Sequence, residues 1–140
     1  LYQTKTKVMR IQVKDFMSTP VTTALGKTSV GEIKALMQEK GIHAIPIVWP
    51  AEDGVDNETT IRGIVTATDV IKDVDSSTPI EQVMAEANVQ VIHIDSSVQA
   101  AAKMMLRHRV HHIVVMDDGR IEGIISSLDF VKLVAEQALA

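Results

Sequence analysis

The same short phrase occurs twice, sixty residues apart. Residues 61–71 read Ile-Arg-Gly-Ile-Val-Thr-Ala-Thr-Asp-Val-Ile, and residues 121–131 read Ile-Glu-Gly-Ile-Ile-Ser-Ser-Leu-Asp-Phe-Val. Both hold a glycine, two β-branched apolar residues, a hydroxyl residue, two spacers and an aspartate. The likeness extends upstream. Val-Lys-Asp-Phe-Met at 13–17 matches Ile-Glu-Gln-Val-Met at 80–84, and Thr-Ser-Val at 28–30 matches Ser-Ser-Val at 96–98. Gly-Ile-His-Ala-Ile-Pro-Ile-Val at 41–48 matches Arg-Val-His-His-Ile-Val-Val-Met at 109–116. A chain that repeats itself at this length must use one supersecondary unit twice. The offset is 67 or 68 up to this point and falls to 60 afterwards, because residues 49–60 are replaced by Asp-Asp-Gly-Arg at 117–120. The short connection carries the Asp-Gly chemistry of a tight hairpin turn. The long one is acidic and has Pro50 as its second residue, which predicts an exposed, mobile flap.

The repeats divide the chain into copies at 8–75 and 76–140 that form one integrated module, joined by Ser-Ser-Thr-Pro at 76–79. Each copy predicts helix–strand–helix–strand–strand–helix, an α/β (α+β) class of fold. In the first copy, 13–17 is a helical turn and 21–23 a short strand. Ser29 caps a helix that runs to about Lys40, with Glu32 three residues on as a capping box and Gly41 at the C-terminal stop. Ile33, Leu36 and Met37 fall on one helical face. Residues 42–48 and 61–66 are antiparallel strands, and Asp69 opens a last short helix. The second copy predicts strands at 89–94, 110–116 and 120–126, a helix from about Ser97 to His108, and a terminal helix at 128–139.

Composition narrows the function. Hydrophobic residues make up 46% and aromatics only 3%, so the core must be aliphatic. The net charge of −4 argues against nucleic acid and anionic membranes as partners. The absence of cysteine removes disulfides, thiolate metal sites and cysteine nucleophiles. No apolar run approaches the roughly 20 residues of a membrane span, and a cytoplasmic protein is the expectation. No Gly-x-x-x-x-Gly-Lys phosphate loop is present and no nucleophile lies beside a base in sequence, so no catalytic residue, catalytic cofactor or metal site is assigned.

Together and in order, the Met-Ser-Thr-Pro-Val start at 17–21, the strand at 41–48 and the twofold Gly-h-h-[Ser/Thr]-x-x-Asp phrase (h, apolar) resemble a tandem pair of CBS domains. This is the module named after cystathionine β-synthase, also called a Bateman module, here of the stand-alone bacterial or archaeal type. The resemblance covers about residues 8–137. It implies two pseudo-symmetric β-α-β-β-α repeats packed through their sheets, with two clefts between them that take adenosine nucleotides. It also implies a homodimer of such pairs, a regulatory role and an effector protein of unknown identity. AMP is the first expected ligand, then ADP or ATP. The alternative is a dimerisation or protein-interaction module whose clefts are vestigial.

The residues themselves support a binding site at each phrase. Asp129, at a helix start, can accept two hydrogen bonds from a ribose diol, as an acidic side chain does in dinucleotide folds. Ser126 offers a hydroxyl, and the backbone amides of the new helix favour an anion. Gly123 would let a flat base approach the backbone, and Ile124 would supply an apolar wall. Thr66, Asp69, Gly63 and Ile64 are the first-copy equivalents. The competing reading makes Thr66 and Ser126 helix N-caps, with Asp69 and Asp129 completing capping boxes. The two readings are compatible.

By resemblance, His111, and with it His112 or His43, would touch phosphate. Arg109, with Arg107 nearby, strengthens the local positive field. Strand alternation places His111 and His112 on opposite faces, which leaves one of the two, either His111 or His112, to contact phosphate while the other faces the core. His108, His111 and His112 would form a metal trio only on a continuous helix, which the strand at 110–116 breaks. The second copy carries the richer cationic set, so unequal sites are expected, with Asp129 gripping the ligand.

Overall fold

The computed structural model describes residues 11–50, 59–85 and 89–138. The flap expected at 49–60 falls mostly outside them. The chain divides into two compact units, one formed by Leu1–Val21 with Gln90–Ala140 and the other by Thr22–Val89.

The Thr22–Val89 unit holds a three-stranded sheet of β1 (Ala24–Leu25), β2 (Ala44–Val48) and β3 (Ile61–Thr66), in that order. β1 runs parallel to β2, and β2 antiparallel to β3. Helix α1 (Val30–Lys40) starts where Ser29 Oγ accepts from the Glu32 N–H at 3.2 Å. It ends at Gly41, whose φ of 63° is the left-handed conformation that glycine adopts without a Cβ penalty. Val30, Ile33 and Met37 point inward from α1 onto Ile45, Ile47 and Val65. The short helix α2 (Ala67–Val70) closes the unit.

The other unit repeats the plan with β4 (Val91–His93), β5 (His112–Asp117) and β6 (Arg120–Ser126). Helix α3 (Val98–His108), capped by Ser97, puts Ala101 and Met105 onto Ile92, Ile113, Val115 and Ile125. Helix α4 (Ser127–Leu133) follows and continues into a π-helical turn at Val134–Ala138. The registers correspond residue for residue: Ala44 faces Thr66 and His112 faces Ser126, and a bulge interrupts each sheet at Ile47/Val48 and at Val115/Met116. The Asp-Gly hairpin appears as read, with Asp118 and Gly119 both at positive φ (50° and 73°), as a tight hairpin turn requires. Both cores are aliphatic, and no buried polar side chain occurs among the described residues.

Several strand and helix ends differ by one to a few residues from the expected ones, and two differences have a local reason. The strand expected at 21–23 forms at Ala24–Leu25, because those residues reach the parallel register with Ile47 and Val48. The reciprocal Glu32 half of the capping box on α1 does not form among the described residues; Ser29 caps alone.

The units also cut across the sequence copies. The 3₁₀ turn Val13–Asp15 opens the first copy but packs on the sheet of the second, where Val13 donates to the Ser96 carbonyl at 2.9 Å and the Ile11 carbonyl accepts from Val98 at 2.9 Å. The matching turn Ile80–Gln82 opens the second copy and packs on the first copy's sheet. There Ile80 donates to Thr28 at 2.7 Å and Thr78 accepts from Val30 at 2.8 Å. Each turn thereby satisfies an amide at the start of a helix that has no partner within that helix.

Candidate functional site

The two aspartates of the repeated phrase lie where the last strand of each sheet turns into a helix. Asp129 Oδ2 accepts the Ser126 N–H at 2.8 Å, while Ser126 Oγ accepts the Asp129 N–H at 3.3 Å. Asp69 Oδ2 accepts the Thr66 N–H at 2.8 Å and the Thr66 hydroxyl at 3.3 Å. Both carboxylates are half-buried. The capping reading of these residues therefore holds in both units, and each cap stabilises its helix by about 1 kcal/mol. It uses one carboxylate oxygen. Oδ1 of each aspartate makes no hydrogen bond to the described residues.

His43 and His111 sit just before the inner strands, and His112 opens β5. The His43 carbonyl accepts from Ala67, and the His111 carbonyl from Ser127 at 2.9 Å, so their backbones tie strand to helix in each unit. Their side chains are exposed, whereas that of His112 is half-buried. Arg109 occupies the position of Gly41 with φ of 52°, a left-handed conformation that costs a non-glycine residue about 1 kcal/mol. Arg109 and His111 line a groove of about 590 Å³ with Met105, Leu106, Ser127 and Phe130. Its walls are mainly apolar, and Ser126 and Asp129 are not in its lining. Among the described residues, no group of three or more His, Asp or Glu side chains is placed to hold a metal ion, His108, His111 and His112 included. No helix among them is long and apolar enough to cross a membrane.

The family model for the CBS domain matches this chain twice, at residues 13–76 and 80–136. The chain is a tandem CBS-domain pair. In structure it resembles the CBS domain pair of protein MJ0100, solved in complex with 5′-methylthioadenosine and S-adenosyl-L-methionine. The two are 31% identical with a TM-score of 0.72, over 89% of this chain and 95% of that one. It also resembles a putative acetoin utilization protein from Vibrio cholerae, with 25% identity and a TM-score of 0.70 over 89% and 90% of the two chains. Inosine-5′-monophosphate dehydrogenase of Staphylococcus aureus is 31% identical over 106 residues, 76% of this chain. The chain spans only 21% of the length of that curated relative.

In this CBS pair the glycines of the phrase have a different task from the one expected. Gly123 is buried, and a Cβ there would collide with the Met17 side chain; at Gly63 the collision would be with Met84. The space read as open to a flat base is filled by a methionine from the docked turn. Ile64 and Ile124 are half-buried, paired with Pro46 and Val114. Sequence reasoning aligned Met17 with Met84 and Gly63 with Gly123 but gave the methionines no role. The signal was there: each copy carries a methionine in its turn and a glycine in its phrase at matched positions, and each methionine covers the other copy's glycine. It also passed over Arg62, which pairs with Glu81 at 2.6 Å and stacks on the Trp49 ring at 4.3 Å.

Proposed function

We propose that this CBS pair is a regulatory, non-catalytic module that senses an adenosine compound, AMP first and then ADP or ATP, with Asp129 as the ribose acceptor. The posture of Asp129 carries this reading. One oxygen is tied to Ser126, which fixes the side chain, and the other is left for a ligand. A carboxylate already held in place loses little rotamer freedom when two ribose hydroxyls donate to it. The adenosine compounds bound by the 31%-identical pair support the ligand class. Neither of them carries phosphate, so the preference for AMP rests on this chain's own basic side chains, Arg109, His111 and His112. Ser126 and Ile124 complete the stronger site. Thr66, Asp69, Ile64 and His43 form its weaker counterpart, which lacks the arginine. Gly63 and Gly123 enter as packing positions only. The match to a dehydrogenase covers about a fifth of that enzyme and brings no catalytic role here.

Titration calorimetry with AMP and with 5′-methylthioadenosine tests the site. Asp129→Asn keeps a capping oxygen but removes the charge, and is expected to weaken both ligands by roughly 10- to 100-fold, the worth of a hydrogen bond to a charged group. Unchanged affinity in a variant with a native circular dichroism spectrum would remove Asp129 from the site.

A second reading, homodimerisation, has its own observation. Leu106 is 80% exposed on α3, and Leu128, Val131 and Val134 present 62%, 60% and 52% along α4 and its extension. Large apolar side chains left exposed on two helices are characteristic of an interface. The two readings combine if ligand occupancy is passed to an effector protein through the arrangement of the dimer.

A further inference from the structure

The two docked turns share a backbone geometry but differ in the side chains they present. Lys14 and Glu81 stand at matched positions and have opposite charges. Their partners are opposite too. Lys14 Nζ binds Asp95 at 3.1 Å, and Glu81 binds Arg62 at 2.6 Å. The inversion extends to positions outside these pairs: Asp95 aligns with Lys27, and Arg62 with Glu122. The basic turn thus meets Asp95 and the acidic turn meets Arg62, while the aligned positions in the opposite unit, Lys27 and Glu122, carry the reverse charges.

Side-chain volume changes in step. Phe16 of the first turn meets Phe130 edge-on, with centroids 5.2 Å apart. At the matched positions of the other unit stand Val83 and Val70, both packed in its core. Large meets large in one unit, and small accompanies small in the other.

The remaining docking interactions do not discriminate between the turns. Each turn's first residue donates to a carbonyl just ahead of the helix, and each turn lays a methionine over a glycine. On these features either turn would fit either sheet, including the sheet of a second copy of the chain. We infer that charge and volume at these matched positions form a two-part code that directs each turn to one sheet. A basic turn with a large side chain belongs on the sheet of Asp95 and Phe130, and an acidic turn with a small one on the sheet of Arg62 and Val70. Misdocking would set Lys14 against Lys27 and Arg62, Glu81 against Asp95 and Glu122, and Phe16 into a space shaped for valine. Like charges brought together destabilise, and an oversized side chain strains a packed core. The code therefore fixes the crossed connectivity and guards against exchange between copies.

The test exchanges the turns without altering composition or net charge. In the full-length variant Lys14→Glu/Phe16→Val/Glu81→Lys/Val83→Phe, each turn carries the other's side chains. The code predicts a melting temperature lower by roughly 5 °C or more, or a mass in light scattering above that of the native chain as turns dock on other copies. A monomer–dimer state like that of the native chain with a melting temperature within about 1 °C of it would overturn the code. Should the fourfold variant not fold, a milder cycle decides. Glu81→Lys and Arg62→Glu should each lower the melting temperature by about 2–5 °C, and the double variant should recover most of the loss. Additive losses in the double variant would overturn the code.

Discussion

A methyl group is enough to probe the glycines of the repeated phrase. Gly123→Ala must displace the sulfur and stem of Met17, and overpacking of a tight contact costs about 1–3 kcal/mol. The variant is expected to melt several degrees lower. Met17→Ala alone should also destabilise, by the loss of its packing. Combined, the two should be less damaging than their sum, because the alanine at 123 then enters the space the methionine left. Full additivity in a thermal double-mutant cycle would show that Met17 does not fill the space over Gly123. Arg109 is the opposite case, a long side chain where the other copy uses glycine at positive φ. Its left-handed conformation carries a cost that the glycine at 41 avoids.

Among the elements, most of the fold was legible before any coordinates. Ser29 and Ser97 cap the helices they were read to cap, Gly41 stops α1, and Asp118-Gly119 makes the hairpin. These are local events, decided by residues within four positions of each other. The capping half of the Thr66–Asp69 and Ser126–Asp129 phrases was equally local and was also anticipated. The exchange of turns between sheets was not legible. It depends on Met17 meeting Gly123, more than a hundred residues away, and periodicity carries no information about such a partner. The groove holding Arg109 and His111 was missed for the same reason, since α3 and α4 bring its lining together only after folding.

The connection before Ile80 gives a prediction in pH. Asp75 accepts both the Ser77 N–H at 2.9 Å and the Ser77 hydroxyl at 2.8 Å. These bonds, the backbone one first, hold its carboxyl below the ordinary aspartate value. They favour the charged form, so their contribution is fully present above the unfolded-state pKa and is lost as pH falls through the lower folded value. The Ser76 and Thr78 carbonyls that meet α1 flank this turn. Asp75→Asn is expected to lower the melting temperature slightly at neutral pH, where the charged form contributes, and to converge with the native chain at low pH, which flattens the acid limb. Melting curves from pH 2 to pH 7 measure it, and an identical acid limb in the variant would exclude Asp75 as a contributor.

At the scale of the molecule, the apolar faces of α3 and α4 make association testable. Leu106→Glu combined with Val131→Glu places charge on two of the most exposed apolar positions. If those faces join two copies, light scattering should report a dimer for the native chain and a monomer for the variant, with little change in the far-ultraviolet spectrum. An unchanged mass would exclude the surface.

The interleaving of the turns also bears on descent. Each compact unit is completed by a segment from the other sequence copy. A primordial gene encoding one repeat would have left its own sheet short of a turn, and two identical products could have supplied each other's. Tandem duplication of such a gene would turn that exchange into one covalent chain and free the two halves to diverge. The opposite charges now carried by Lys14 and Glu81 are differences that a homodimer of identical repeats could never have acquired.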